Sequence, residues 1–150
     1  MEKQGGFTLI EVVSVLAIVG LLAMIALPSA PRGTTQTRLG GYAVEVATLL
    51  KADRNAAIRR HIPVSTSLSA ASHIVKSGAD EGVVRLPADV AFDAILAQRC
   101  GGRPAGSTID FFPSGSSCGG TIALMRQSVG FQIRVNWLTG GVDIVPLNKS

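Results

Sequence analysis

Aromatic side chains are scarce in this chain: one tryptophan, one tyrosine and five phenylalanines, 5% of the residues. Single-stranded nucleic acids are gripped largely by stacking bases on rings, so that class of binder is poorly supplied. Histidine is rarer still, and neither His61 nor His73 has a partner at metal-ligand spacing. Asp80-Glu81, Asp89 and Asp93 are too sparse for a calcium loop, and Asp89 reads more simply as the cap of a short helix. No metal and no cofactor is expected. Cys100 and Cys118 are the only cysteines. There is no internal repeat, and no linker long enough to set off a second domain.

Apolar residues, by contrast, make up 47% of the chain. Many lie in one nearly unbroken run that opens at Gly5-Gly6-Phe7-Thr8-Leu9-Ile10-Glu11 and reaches Leu27. From Phe7 to Leu27 is about 21 residues, roughly 31 Å as a helix, enough to cross a hydrocarbon core. Lys3 stands beside Glu2 on one side, and Arg32 and Arg38 follow on the other, so charge asymmetry does not orient it. Two ordinary readings are a buried core helix and a plain membrane anchor. The N-terminal position and the length count against the first. Against the second stand Glu11, an acid whose burial in an apolar phase costs several kcal/mol unless paired, and the Gly6-Phe7 junction. A secretory signal is cut after its apolar core. Here the suitable site lies before it, between Gly6 and Phe7, which leaves the apolar segment on the mature protein.

These N-terminal residues resemble those of the type IV pilins and the pseudopilins of type II secretion. The resemblance implies that a prepilin peptidase removes the leader, residues 1–6, and N-methylates Phe7. Residues 7–27 would then be a single-pass helix of the bacterial inner membrane, with the head in the periplasm. Glu11 would pair with the Phe7 amine of a neighbouring subunit and set the axial register. Pro28 matches the proline that kinks the stem helix of the family. The implied partners are the peptidase, the major and minor pseudopilins, and the inner-membrane assembly platform.

Pro28, Pro31 and Gly33 interrupt the helix, and Gly40-Gly41 weakens the following turn. The helical period returns from Tyr42 to about Arg60. Tyr42, Val46, Leu49, Leu50, Ala56 and Ala57 form an apolar stripe, with Glu45, Lys51, Asn55 and Arg59 away from it. Residues 28–60 thus read as a stem, and Lys51, Arg54, Arg59 and Arg60 as its solvated face, a binding patch being the alternative. Residues 61–150 read as a β-rich head. Short runs at Pro63–Leu68, Gly82–Leu86, Ile109–Phe112, Thr121–Met125, Phe131–Trp137 and Val142–Val145 are separated by turn residues. In Phe131–Trp137 the odd positions should face a core, and Leu138-Thr139-Gly140-Gly141 should turn the chain into the last strand. One long helix followed by strands implies an α+β fold with antiparallel sheet.

The block Ile109-Asp110-Phe111-Phe112-Pro113-Ser114-Gly115-Ser116-Ser117-Cys118-Gly119-Gly120-Thr121-Ile122, with the Phe131 strand and Leu138-Thr139-Gly140, resembles the GspH/FimT family. That family comprises H-type minor pseudopilins and FimT-type minor pilins, and its fold is a long N-terminal helix against two antiparallel sheets. Residues 62–104 carry no resemblance. In a periplasmic head Cys100 and Cys118 would close a loop of about 18 residues, worth roughly 3 kcal/mol. Two free buried thiols are the alternative.

Enzymatic constellations fail. Gly115-Ser116-Ser117-Cys118-Gly119 has nucleophile-elbow spacing, but it leads into a strand, and both histidines lie upstream. Gly101-Gly102-Arg103-Pro104-Ala105-Gly106 lacks the spacing and the lysine of a phosphate loop. No catalytic residue is expected. A net charge of +4 and a pI near 9.6 favour polyanions in general. The DNA-binding FimT-type pilins carry a basic motif near the C-terminus, where this chain has only Lys149, so DNA is not an expected partner. The sequence points to a minor pseudopilin of type II secretion. The alternatives are a FimT-like minor pilin for pilus priming or DNA uptake, and a membrane-tethered hydrolase using Ser117.

Overall fold

The computed structural model describes residues 5–26 and 33–148, and it divides into two compact units at Arg32/Gly33. In the first unit, helix α1 spans Leu9–Ala26. Leu, Val and Ile occupy every face, so the helix has no polar side to turn to water, and its large side chains from Leu9 to Met24 are all exposed. Its 18 residues rise about 27 Å, slightly under a hydrocarbon core. Among the described residues no helix is long and apolar enough to cross a membrane. The expected span runs on to Leu27, which lies outside the described residues together with Pro28 and Pro31.

The second unit is built on helix α2, Gln36–Arg60. Thr35 caps its N-terminus, accepting from the Arg38 amide at 3.3 Å. His61 ends it in the left-handed conformation, with Arg59 and Arg60 in the last turn, where the helix dipole favours cations. The helix therefore begins six residues before Tyr42 and runs through Gly40-Gly41. Tertiary packing overrides the weak propensity of the glycine pair. The Phe131 ring sits where a Cβ on Gly40 would be 3.4 Å away.

The strands are β1 Val64–Ser69, β2 Ile74–Lys76, β3 Val83–Arg85, β4 Ala91–Leu96, β5 Arg99–Cys100, β6 Arg103–Pro104, β7 Thr108–Phe111, β8 Gly120–Arg126, β9 Val129–Val135 and β10 Val142–Asn148. They form two four-stranded sheets, ordered β3-β2-β1-β7 and β10-β9-β8-β4, and a small hairpin β5-β6. Every pairing is antiparallel. Helix α2 packs on both large sheets. Leu39, Val46 and Leu50 of the helix meet Val75, Ile109 and Phe111 of the first sheet and Ile122, Leu124 and Ile133 of the second in one core. Each such side chain contributes about 1.5–3 kcal/mol by leaving water.

Trp137 departs from the expected alternation. Strand β9 stops at Val135, and Trp137 is 66% exposed. Asn136 ends the strand, its Oδ1 accepting from the amides of Leu138 and Thr139 at 2.9 and 3.0 Å. Gly140 completes the turn at φ 64°, so close to the Gly115 carbonyl oxygen that a Cβ would lie 2.1 Å from it. Arg54 binds the same region, its Nε donating to the carbonyls of Gly115 and Thr139, both at 3.0 Å. Arg60 likewise donates to the Ala79 carbonyl at 2.8 Å. Two of the four basic residues of the cluster are thus tied to backbone carbonyls, so it is not a simple solvated face.

Asp89 caps no helix. It accepts from the Thr34 amide and hydroxyl, both at 2.8 Å, and from Arg126 Nε at 2.9 Å, fastening the approach to α2 to the end of β8. The Thr34 amide and hydroxyl bonds, helped by Arg126 and opposed by some desolvation, hold its carboxyl below the usual carboxylate range.

Asp53 is the feature the stripe did not announce. It is fully buried on the core side of α2. Its carboxylate accepts from the hydroxyls of Thr66 and Ser77, each at 2.5 Å, and from the amides of Gly78 and Ala79 at 3.0 and 3.3 Å. Four donors from β1 and the β2–β3 turn thus replace the water that burial removes.

Two outcomes follow from these acids. Asp53→Ala leaves those donors unsatisfied and should cost about 3 kcal/mol or more in urea unfolding followed by far-ultraviolet circular dichroism. A loss under about 1 kcal/mol would contradict the role given to the network. A lowered Asp89 pKa contributes stability that is present above about pH 4 and is lost as pH falls through the folded value. The melting temperature of Asp89→Asn should therefore trail wild type at neutral pH and converge with it on acidification. A gap independent of pH would contradict this.

Candidate functional site

The N-terminal unit presents the residues on which processing and assembly would act. Residues 5–8 precede the helix and are exposed, so the Gly6-Phe7 peptide bond is free of regular structure. Around Gly6 a Cβ would meet nothing within 4 Å. Phe7 is 84% exposed. The amides of Glu11 and Val12 donate to the Thr8 carbonyl at 3.0 and 3.3 Å and start the first turn of α1. Glu11 itself is exposed there, the single charged residue of the helix. Phe7, Glu11, Val12, Val15 and Leu16 line one shallow apolar hollow, which places the acid and the aromatic on a common face. Neither side chain is engaged by its own unit through a hydrogen bond or an ion pair among the described residues. Pro28 lies outside those residues.

In the head the two cysteines come together. Cys100 of β5 and Cys118 before β8 form a disulfide, with Cα atoms 5.6 Å apart. It ties the β5-β6 hairpin, turned by Gly101 and Gly102 at φ 56° and 83°, to the body of the sheets. The glycine-rich stretch that lacks phosphate-loop spacing thus forms the turn of this hairpin. The Asp110 carboxyl lies within 4.8 Å of both sulfurs. With the sulfurs bonded to each other, the chemistry left at this point is that of the carboxylate.

The serine of the elbow-like stretch is held by structure. Ser117 is buried, its hydroxyl donating to the Asn136 carbonyl and accepting from the Gly119 amide, both at 3.0 Å. Its oxygen is thereby committed to fixing the turn. His61 closes α2, and His73 stands edge-on to the Phe92 ring at 6.4 Å between centroids. Neither histidine contacts Ser117 through a hydrogen bond among the described residues, and no Ser-His relay is assembled. Asp80 accepts from the Gly82 amide at 2.7 Å, and Asp93 from the Ala94 amide at 2.9 Å, so these acids serve turns and edges.

Sequence reasoning passed over Asp53 and Asp110, and read Arg54 only as part of a solvated face. A signal for the first existed: Asp53 follows Val46 and Leu50 on the buried face at helical spacing, so an acid interrupts an apolar stripe. Arg54 and Asp110 gave no such sign, because their roles depend on segments brought together only by the fold.

Family comparisons match the two units separately. Residues 1–27 match the prokaryotic N-terminal methylation motif, and residues 43–140 match the family described as type II transport protein GspH. The chain is 27% identical over 143 residues to the type II secretion system protein H of Xanthomonas campestris pv. campestris, covering 95% of this chain and 83% of that protein. A fimbrial protein of Pseudomonas aeruginosa is 39% identical over 67 residues, covering 45% of this chain and 44% of that one. The minor pseudopilin EpsH of Vibrio cholerae shares the fold with a TM-score of 0.57 at 10% identity, over 71% of this chain and 95% of EpsH. The type IV minor pilin FimU of Pseudomonas aeruginosa does so with a TM-score of 0.55 at 15% identity, over 77% and 93%. A methylation motif that spans helix α1, and a head matched over most of its length, give the same answer: the chain belongs to the GspH family of type II transport proteins, the H-type minor pseudopilins.

Proposed function

We propose that this minor pseudopilin is a structural subunit of a periplasmic pseudopilus that helps drive folded exoproteins through the outer-membrane channel. The observation that carries this reading is α1: a helix apolar on every side, bearing one acid that has no ion-pair partner among the described residues, on a chain whose head is of the GspH family. Such a helix needs apolar surroundings, first lipid and then the α1 helices of neighbours. Residues 7–27 would span the inner membrane with the head in the periplasm, where an oxidising compartment suits the Cys100–Cys118 bond.

Prepilin peptidase would cut between Gly6 and Phe7 and methylate the new amine. The exposed, non-helical junction and the open space around Gly6 support access to that bond. Glu11 would then meet the positive amine of Phe7 on an adjacent subunit. The cost of dehydrating the carboxylate makes correct register the one arrangement that recovers it. Pro28 would bend the chain between membrane helix and stem. The implied partners are the sibling pseudopilins and the inner-membrane assembly platform. No catalytic role is assigned, since Ser117 is held in a turn.

The likeness to FimU and to a fimbrial protein favours the second reading, a minor pilin of a type IV pilus. Both likenesses concern the fold or less than half the chain.

Glu11→Ala tests the assembly step. In cells carrying the sibling subunits, the variant should insert in the membrane and lose residues 1–6 normally by mass spectrometry. Its recovery in sheared filaments should fall at least about tenfold, equivalent to ~1.4 kcal/mol. Normal co-assembly would contradict the pairing.

A further inference from the structure

The Cys100–Cys118 bond fastens a hairpin whose two-residue strands, β5 and β6, pair only with each other. Around the bond Gly101, Gly102, Arg103 and Pro104 are exposed. Cys100 lines a cleft of about 340 Å³ beside Pro63, Arg103 and Phe112. Cys118 lines another of about 630 Å³ beside Leu96, Asn136 and Trp137. A bond between two such residues is not protected by depth from a small thiolate, the species that opens disulfides.

Beside the bond lies a charge that the fold leaves unsatisfied. Among the described residues one buried side-chain atom lacks a hydrogen-bond partner, Oδ1 of Asp110. A carboxylate oxygen of Asp110 is within 4.8 Å of both sulfurs. The placement is fixed by the backbone: Asp110 pairs with Ser65 in the β1-β7 ladder, and its carbonyl accepts from the Cys118 amide at 3.0 Å. A buried carboxylate oxygen without a donor is costly, and native proteins retain very few. Being enclosed, this charge acts on the sulfurs with little screening by water. Arg103 carries the opposite charge near Cys100, but it is exposed, so solvent and salt weaken its field.

We propose that the Asp110 carboxylate guards the Cys100–Cys118 bond against thiol exchange by repelling the thiolate that would open it. In that exchange the thiolate attacks Sγ of Cys100, and Sγ of Cys118 departs with the bonding pair. A second thiolate then displaces the first from Cys100. The reductant leaves as its disulfide, and the two protein thiolates take protons from water. Attacking sulfur, transition state and leaving sulfur all carry negative charge, and a fixed anion within 4.8 Å raises each of them. The guard acts on the rate of opening and keeps the hairpin fastened. It does not depend on which filament the subunit joins.

The test follows reduction of the full-length protein in an uncharged detergent, by quenching, alkylation and mass spectrometry. The chain has two cysteines, so the alkylated mass reports this bond alone. Two reductants are compared, mercaptoethanesulfonate, which is anionic at both ends, and cysteamine, whose ammonium offsets its thiolate. Asp110→Asn should be reduced at least about tenfold faster than wild type by the sulfonate, and by a distinctly smaller factor by cysteamine. An unchanged rate with the sulfonate overturns the proposal. Equal acceleration with both thiols also overturns it, since a merely loosened hairpin would admit both alike. Wild type alone gives a second reading that needs no variant to fold. Its sulfonate-to-cysteamine rate ratio should be lower in the folded protein than in urea, and a ratio as high or higher when folded overturns the guard.

Discussion

The head is organised around a carboxylate that cannot be solvated. Asp53 sits on the buried side of α2 without an ion-pair partner among the described residues, and its carboxylate is satisfied by Thr66, Ser77, Gly78 and Ala79. Those donors come from β1 and from the turn between β2 and β3, so the stem helix and the first sheet must be in register for the charge to be tolerated. The turn approaches β1 so closely that a Cβ on Gly78 would lie 2.2 Å from the Ser65 carbonyl oxygen. Apolar burial gives the head its cohesion, but burial is not directional. The Asp53 bonds are directional, and they select one placement of helix on sheet from the many that hydrophobic contact alone would allow. Arg54, the next residue, reaches toward Gly115 and Thr139 and secures the helix to the other end of the head.

Four acids show how one chemical group serves different ends. Asp53 is buried and fully satisfied within the chain, which makes it a fixed part of the architecture. Asp89 is held at the surface by Thr34 and Arg126, a clasp that water and protons can reach. Among the described residues the side chains of Asp110 and Glu11 have no hydrogen-bond or ion-pair partner. Unpaired acids beside apolar surface are unstable arrangements unless another molecule completes them. In the proposed pseudopilus the completing group for Glu11 is the amine of a second subunit. The chain thus separates groups that hold the fold from groups left open for contact.

How much of this was legible in the sequence depended on how local each signal is. The apolar run and the Leu138–Gly141 turn could be read directly, because each is defined by neighbours in the chain. The α+β class and six of the strands followed from turn residues and alternation. Strands β2, β5 and β6 escaped because two or three residues cannot establish a period. Strand β4 escaped because Ala91-Phe92-Asp93-Ala94-Ile95-Leu96 places an exposed isoleucine on its outer face, which blurs the alternation. Trp137 misled for a related reason: alternation continues on paper, but Asn136 has already turned the chain. The anchoring role of Arg54 was invisible, since the carbonyls it binds lie 61 and 85 residues away in the chain.

The most direct test of the secretion reading is genetic and is made in the source organism. The gene is deleted and then restored by plasmid, and exoprotein release and transformation frequency are measured side by side. A type II secretion pseudopilin requires that release fall on deletion and return on restoration, with transformation unaffected. Normal release with lost transformation would contradict that reading and assign the subunit to a type IV pilus.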